Sequence, residues 1–353
     1  MSIIGNKLKN RYIGCFTDIH LGIGQDSKNW HKTALDFAKW ASEYYKENKI
    51  DEIIIPGDTF HNRSEISVET LTVAKEFFDY FKDFSAVYIS TGNHDCYKKD
   101  SSDINSIKLL DGWNNIHVID NDPLILNTPY ENKTVGIIPW GVDLQDFPKC
   151  DIMFAHLEIN SFHIGPFKIC EHGLSYKDLF KVSPYIISGH FHKRDHRKFE
   201  KGEILYLGSP YQHNFGDTND DRGIYIFDLK ENTFKFIENT ISPKHIKFSV
   251  KSLLENSDKI HDLTKNNIIS VIVDTKIDHE KLLSLQTKIA SIGPVTLRLD
   301  YQEPDDSLIP TGDEKDYQGE DLYKNIEEYI NNLDIENKKE VVEYVKELYN
   351  SLI

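Results

Sequence analysis

Cysteine is scarce in this 353-residue chain: four residues, Cys15, Cys96, Cys150 and Cys170, with no CxxC spacing among them. Neither a zinc ribbon nor a dithiol redox site is therefore expected, and the thiols are read as buried and free. Long apolar runs are also missing. No segment approaches the roughly 18 apolar residues of a membrane-spanning helix, and Met1 to Arg11 lacks the apolar core of a signal peptide. A cytoplasmic location is expected, in the host cytoplasm if the source is viral. Positive charge is in deficit too, with a formal net charge of −16, which by itself argues against a nucleic-acid partner. Its distribution changes that reading. Residues 301–353 hold 15 Asp or Glu against 5 Lys, leaving 42 acids against 36 bases before them, so the body can still carry a local basic surface. No internal repeat or low-complexity tract is present.

What the chain does have is a set of apolar runs that each end on a polar, metal-capable side chain. Ala86–Ser90 leads into Gly92-Asn93-His94-Asp95, Ile13–Phe16 into Asp18 and His20, and Ile53–Ile55 into Gly57-Asp58. Further on, Ile152–Phe154 leads to His156, and Tyr185–Ile187 to Gly189-His190-Phe191-His192. One Asn-His pair after a strand is ordinary turn chemistry. Five such endings are not a packing pattern, because open α/β sheets gather ligands at the carboxyl ends of their strands. Asp, His and Asn without sulfur favour Mn²⁺, Fe²⁺ or Zn²⁺. The donors exceed the needs of one ion, and two ions sharing one carboxylate make a clamp suited to in-line displacement at phosphorus, with a water between them ionised near neutral pH.

The periodicity predicts amphipathic helices over 30–48 and 66–83, alternating with the first three strands in βαβ fashion. The runs at 135–139, 151–155, 185–188, 204–207, 223–228 and 233–237 come close together and are assigned to a second sheet. The expected fold is α/β, a four-layer α/β/β/α sandwich over residues 1–240. A small α+β cap follows over 241–300, with strands at 268–273 and 295–299 around a helix at 278–291. Residues 301–320 have the Pro, Gly and acid content of a linker, and 321–353 carry two further amphipathic patterns.

The blocks Asp18-Ile19-His20, Gly57-Asp58, Gly92-Asn93-His94-Asp95, His156 and Gly189-His190-Phe191-His192 resemble, in order and spacing, those of the calcineurin-like metallophosphoesterases. Within that superfamily the chain looks most like the nuclease subunits of SbcCD- or Mre-type DNA repair complexes, and in particular those of T-even-like phages. Gly57-Asp58-Thr59-Phe60-His61, Ala155–Asn160, Tyr206–Pro210 and Asp221-Arg222-Gly223 carry that finer likeness. The resemblance implies two divalent ions, taken as Mn²⁺. Asp18, His20, Asp58 and His192 would hold one, and Asp58, Asn93, His156 and His190 the other. It further implies that His94 protonates the leaving 3′ oxygen and that His61 orients His94 or contacts substrate. DNA, a cap that binds it, a homodimer through helices near the core (the apolar face of 66–83 being the candidate) and docking of 321–353 on an SbcC-type coiled-coil ATPase are implied as well.

DNA contact itself is expected from Lys193, Arg194, Arg197 and Lys198 in the basic stretch after the last ligand, with Arg63 and Lys98 beside the catalytic blocks. A solvated loop is the competing reading of that stretch. His163 and His172 match no block and are read as surface or structural, and Gly208-Ser209-Pro210 as a turn supporting the site. The expected activity is Mn-dependent exonuclease and single-strand endonuclease cleavage of DNA within a recombination and repair complex. The alternatives are a metallophosphatase or phosphodiesterase acting on a phosphoprotein or nucleotide, and a scaffold without catalysis.

Overall fold

The structure is a computed structural model that describes residues 7–99, 101–113, 115–130, 132–165, 168–255, 260–275 and 277–301, with 338, 339, 341–343 and 346. The chain divides into two compact units after Gln302. The linker and the helical tail expected in the second unit lie outside the described residues, save for those last positions, which are helical.

Strands β1 (Tyr12–Cys15), β2 (Glu52–Pro56) and β3 (Ala86–Ser90) run parallel and alternate with helices Lys28–Glu47 and Val68–Asp79. A hairpin of β4 (Cys96–Lys98) and β5 (Ser101–Asn105) precedes β6 (Ile116–Ile119), which extends the parallel set. The chain then builds a second sheet from β7 (Leu124–Asn127), β8 (Thr134–Ile138), β9 (Ile152–His156), β10 (Tyr185–Gly189), β11 (Asp195–Phe199) and β12 (Gly202–Tyr206). It returns to the first through β13 (Gly223–Asp228) and β14 (Thr233–Glu238). The two six-stranded orders are β14-β13-β1-β2-β3-β6 and β11-β12-β10-β9-β8-β7.

One expectation is corrected here. Residues 223–228 and 233–238 belong to the first sheet, not the second, because β13 pairs antiparallel with the edge of β1 that β2 leaves open, Tyr12 opposite Asp228. The Arg11–Asp228 ion pair at 2.7 Å and the Leu229 N–H to Arg11 carbonyl bond secure that register across more than 200 residues of chain. Within the basic stretch after His192, for which a solvated loop was the competing reading, Asp195–Phe199 form edge strand β11, antiparallel to β12.

The helices form for local reasons. Ala34, Phe37, Ala38, Ala41 and Tyr45 make one buried stripe at helical spacing on Lys28–Glu47. The Ser67 hydroxyl accepts the Thr70 N–H at 3.0 Å and starts Val68–Asp79, which buries Val73, Ala74, Phe77 and Phe78. Those faces pack with Ile53, Ile55, Val87 and Ile89 on one side of the first sheet. Ile13, Ile54 and Tyr88 point the other way, and meet Val135, Ile137, Phe154 and Ile187 between the sheets. Successive side chains of β2 thus serve two cores, which is why the whole of Ile53–Ile55 is apolar. The outer face of the second sheet, with Met153, Ile186 and Ile204, is covered by the one-turn helix Tyr176–Leu179 and adjoining segments such as Phe162 and Phe180. The fold is an α/β sandwich. Beyond it, β15 (His245–Ser249), β16 (Ile268–Val273) and β17 (Thr296–Tyr301) form a separate parallel sheet around a small core of Val250, Leu253, Ile269, Val271, Leu282 and Ile289. That unit has one strand more than expected. Asp278 caps its helix His279–Ser291 through the Glu280 and Lys281 N–H groups.

Candidate metal centre

The parallel strands of both sheets deliver their carboxyl ends to one place. Thr17–His20 follows β1, Gly57-Asp58 follows β2, Gly92–Asp95 follows β3, His156 ends β9 and His190–His192 follows β10. The loops are stitched together: Asp18 N–H donates to the Gly57 carbonyl at 3.2 Å and His20 N–H to the Asp58 carbonyl at 3.1 Å. His156 lies opposite Gly189 in the β9–β10 ladder. Asp18, His20, Asp58 and His190 have φ of 54°, 52°, 52° and 91°. Left-handed backbone at a non-glycine costs on the order of 1–2 kcal/mol per residue, and strain of this kind gathers where a fold must aim side chains at a common point.

The donor atoms fall into two sets that share Asp58. In the first, His20 Nε2 lies 3.0 Å from His192 Nε2, 3.5 Å from Asp58 Oδ2 and 4.0 Å from Asp18 Oδ1, and His192 Nε2 lies 3.8 Å from Asp18 Oδ1. In the second, His156 Nε2 is 3.3 Å from Asp58 Oδ2 and 3.1 Å from Asn93 Oδ1, which is 2.8 Å from His190 Nδ1. Ligand atoms each about 2.1 Å from one cation stand roughly 3–4 Å apart. The donor chemistry fits as well. Two facing imidazole nitrogens beside two carboxylates concentrate lone pairs that a cation would satisfy, and nitrogen and oxygen without sulfur suit a borderline or hard dication.

Electrostatics leave His20, His190 and His192 neutral and the bridging Asp58 charged, with His156 the exception. Burial pushes the His20 imidazole well below its usual range, takes His190 down to about 3 and His192 to about 4. Burial also pushes the Asp18 carboxyl up to about 7, with Asp58 adding to the rise. Burial opposes charge on Asp58 and His156 too, yet their mutual attraction overrides it, holding Asp58 well below the carboxylate range and His156 up at about 9. His156 Nδ1 donates to the Pro56 carbonyl at 2.9 Å, leaving Nε2 to face the site.

His94 stands beside these donors and outside both sets. Its N–H donates to Asp58 Oδ1 at 2.8 Å, and its Nδ1 donates to the His61 carbonyl at 2.7 Å, which fixes the tautomer that presents Nε2. The His61 and His94 rings stack with centroids 5.5 Å apart, and His61 Nδ1 is 3.3 Å from His20 Nδ1. His61 therefore touches both His94 and a member of the first donor set.

Residues 12–194 match the calcineurin-like phosphoesterase family over more than half of the chain. The chain belongs to that family. It is accordingly a hydrolase with an α/β sandwich and a two-metal centre. The phosphoesterase is 28% identical to exonuclease subunit 1 of enterobacteria phage T4, over 94% of this chain and 96% of that protein. It is also 28% identical to the DNA double-strand break repair protein Mre11 of Methanocaldococcus jannaschii, over 61% of this chain and 62% of the archaeal one.

The basic residues of the phosphoesterase sort differently from the ligands. The Arg194 guanidinium lies 3.4 Å from the Phe236 ring centroid and its Nε donates to Tyr225 Oη at 2.8 Å. Arg197 pairs with Asp195 at 2.6 Å and covers the Phe162 ring, with His163 at 3.1 Å. Both guanidiniums are engaged within the protein. Lys198 is exposed and 3.3 Å from Glu203, Lys98 is exposed on the hairpin, and Arg63 and Lys193 are half-buried. All four cysteines are buried and free.

Three residues at the site carried no role in the sequence reading. Asp95 is buried and accepts N–H groups of Gly92, Phe60 and Thr59 at 2.9, 2.9 and 3.2 Å, tying the β2 and β3 loops together. Trp140 stacks on His190 at 5.4 Å and its indole N–H donates to the Lys99 carbonyl. Its signal was a sixth apolar run, Val135–Ile138, ending at the same sheet edge. His213 is buried with its Nδ1 3.3 Å from His192 Nδ1. It follows Gly208-Ser209-Pro210, whose Ser209 N–H donates to the His192 carbonyl at 3.1 Å.

Proposed function

We propose that this phosphoesterase is a Mn²⁺-dependent DNA nuclease, cutting at duplex ends and within single strands, and that it is the nuclease subunit of an SbcCD-type recombination and repair complex. The observation that carries the reading is Asp58, whose Oδ2 lies within 3.5 Å of a histidine from each donor set while its Oδ1 holds His94 in place. Asp18, His20, Asp58 and His192 would hold one ion, and Asp58, Asn93, His156 and His190 the other. A pair of dications, when bound, supplies Lewis-acid stabilisation of charge at phosphorus and a lowered pKa for water. The remaining work belongs to the side chains. His94, held through Nδ1 by the His61 carbonyl, presents Nε2 as the acid for the departing sugar oxygen. His61 stacks on His94 and limits its rotation. Lys98 follows the β3 loop, Lys193 and Lys198 the β10 loop and Arg63 the β2 loop, and they supply phosphate contacts that carry no base reading.

The likeness to a phage exonuclease subunit and to an archaeal break-repair protein supports the choice of DNA over other phosphate esters. An SbcC-type ATPase docks on the helical pattern at 321–353. A homodimer has less to use on helix Val68–Asp79 than the sequence suggests, because Phe77, Phe78 and Phe81 are buried in the protein's own core and Val68 and Leu71 are left exposed. Among the described residues no helix is long and apolar enough to cross a membrane. The test is cleavage of end-labelled duplex and single-stranded DNA with Mn²⁺ or Mg²⁺. Turnover of phosphoproteins or nucleotides with DNA left intact would replace this reading with that of a metallophosphatase.

A further inference from the structure

We propose that His213 is a positioning residue for the first metal site, accepting the Nδ1–H of His192 and thereby leaving His192 Nε2 bare for the ion. The inference rests on the two-ion reading above. The two Nδ1 atoms are 3.3 Å apart, and a hydrogen bond at that distance needs a proton on one of them and a lone pair on the other. If His213 held it, His192 would carry its own proton on Nε2, the atom that faces His20 Nε2 at 3.0 Å and Asp18 at 3.8 Å, and could not bind a cation there. With the proton on His192 Nδ1, Nε2 is a free donor. Ligand histidines are commonly fixed this way by a carbonyl or carboxylate behind the ring, as Pro56 does for His156 at 2.9 Å. No such oxygen bonds His192 among the described residues, and His213 stands in that place.

The surroundings of His213 are built to hold it. The residue is 6% exposed, its ring packed against Trp30, Tyr211 and His20 with centroids 6.3, 5.3 and 5.2 Å away. Its backbone N–H donates to Asp217 Oδ2 at 2.8 Å, and buried Arg222 pairs with Asp217 at 3.0 Å. Tyr211 Oη donates to the Ile19 carbonyl at 2.6 Å, which fastens the same segment to the loop carrying Asp18 and His20. With Nδ1 accepting, the proton of His213 is on Nε2, which is buried with no partner among the described residues, a desolvation cost that the contact to His192 must offset. The contact to His192 is thus the one hydrogen bond this side chain makes, and a histidine kept only for bulk would not need it.

The test measures metal binding. Chelator-stripped full-length protein is titrated with Mn²⁺ by calorimetry for the wild type, His213→Ala, His213→Asn and His213→Gln. The Asn amide reaches the position of Nδ1 and the Gln amide that of Nε2, so the two separate hydrogen bonding to His192 from bulk. The wild type is expected to take two ions. His213→Ala and His213→Gln should weaken one of them about 10–100-fold, leaving the other unchanged, and His213→Asn should restore the weakened ion to within a few-fold. Equal loss in the Asn and Gln variants, or wild-type binding by both, would overturn the inference, and that comparison decides even if His213→Ala does not fold. A wild type that takes up no ion pair would instead overturn the function proposed above, and this inference with it.

Discussion

Gly92→Ala is the substitution that tests most directly how the site is built. A Cβ at Gly92 would sit 2.2 Å from Asp58 Oδ1, 2.4 Å from Asp58 N and 2.8 Å from Asp58 Cγ. The carboxylate can rotate away, but the backbone nitrogen cannot, because Asp58 is held between strand β2 and the Asp18 loop in a left-handed conformation. An ordinary contact therefore needs the β2 and β3 loops to part by about 1 Å, and overpacking of that kind costs roughly 1–3 kcal/mol. Displacing Asp58 Oδ1 also weakens its 2.8 Å bond from the His94 N–H, a charge-assisted contact contributing about 1.5–3 kcal/mol. Together these amount to on the order of 4 kcal/mol, or about 10 °C in Tm for a domain of this size. Because the moved carboxylate serves both donor sets, Mn²⁺ affinity should fall for both ions together. Thermal melts with and without Mn²⁺, beside calorimetric titration, measure both effects. Gly165→Ala is the control, since a Cβ there meets nothing within 4 Å. A Gly92→Ala protein with the melting point and metal affinity of that control would refute the account of how these loops are packed.

Three further outcomes are expected. His94→Ala should keep two ions and an unchanged melting point while cleavage falls about 10²–10⁴-fold, read by metal analysis and single-turnover assays; normal turnover would remove His94 from the chemistry. Chelated protein should lose stability between pH 7 and 9. His156 is raised in the folded state to about 9 from 6.5, so its contribution is complete below 6.5 and disappears as pH rises through 9, on the order of 2 kcal/mol over that window. Below pH 7 the lowered histidines and raised Asp18 work in opposite directions, so the upper window is the informative one, and added Mn²⁺ should flatten it. Arg194→Ala should lower the melting point, by loss of its Phe236 and Tyr225 contacts, and leave DNA affinity unchanged, whereas Lys98→Ala should weaken DNA binding and reduce its salt dependence. An unchanged melting point for Arg194→Ala would show that the stacked guanidinium contributes nothing to the fold.

Much of this molecule was legible in one dimension. The polar endings of five apolar runs pointed to one metal-capable cluster, because a parallel strand must release its chain at one edge and function collects there, and the family resemblance singled out seven candidate ligands within it. Helices Lys28–Glu47 and Val68–Asp79 followed from stripes such as Phe37, Ala41 and Tyr45, since helical spacing is a local property. What only the tertiary structure decided depends on partners far apart in the chain. β13 and β14 read as continuations of the second sheet, yet the open edge of β1 claimed them, and no local signal in Gly223–Asp228 reports which edge is free. Arg194 and Arg197 looked like phosphate contacts from their charge, and only the tertiary structure shows them stacked on the aromatic rings of Phe236 and Phe162. His213 is silent in the sequence for the same reason: its role comes from a distance of 3.3 Å to His192. Residue type and spacing fix which atoms can bind an ion, whereas the atoms that stand behind them are chosen by long-range packing.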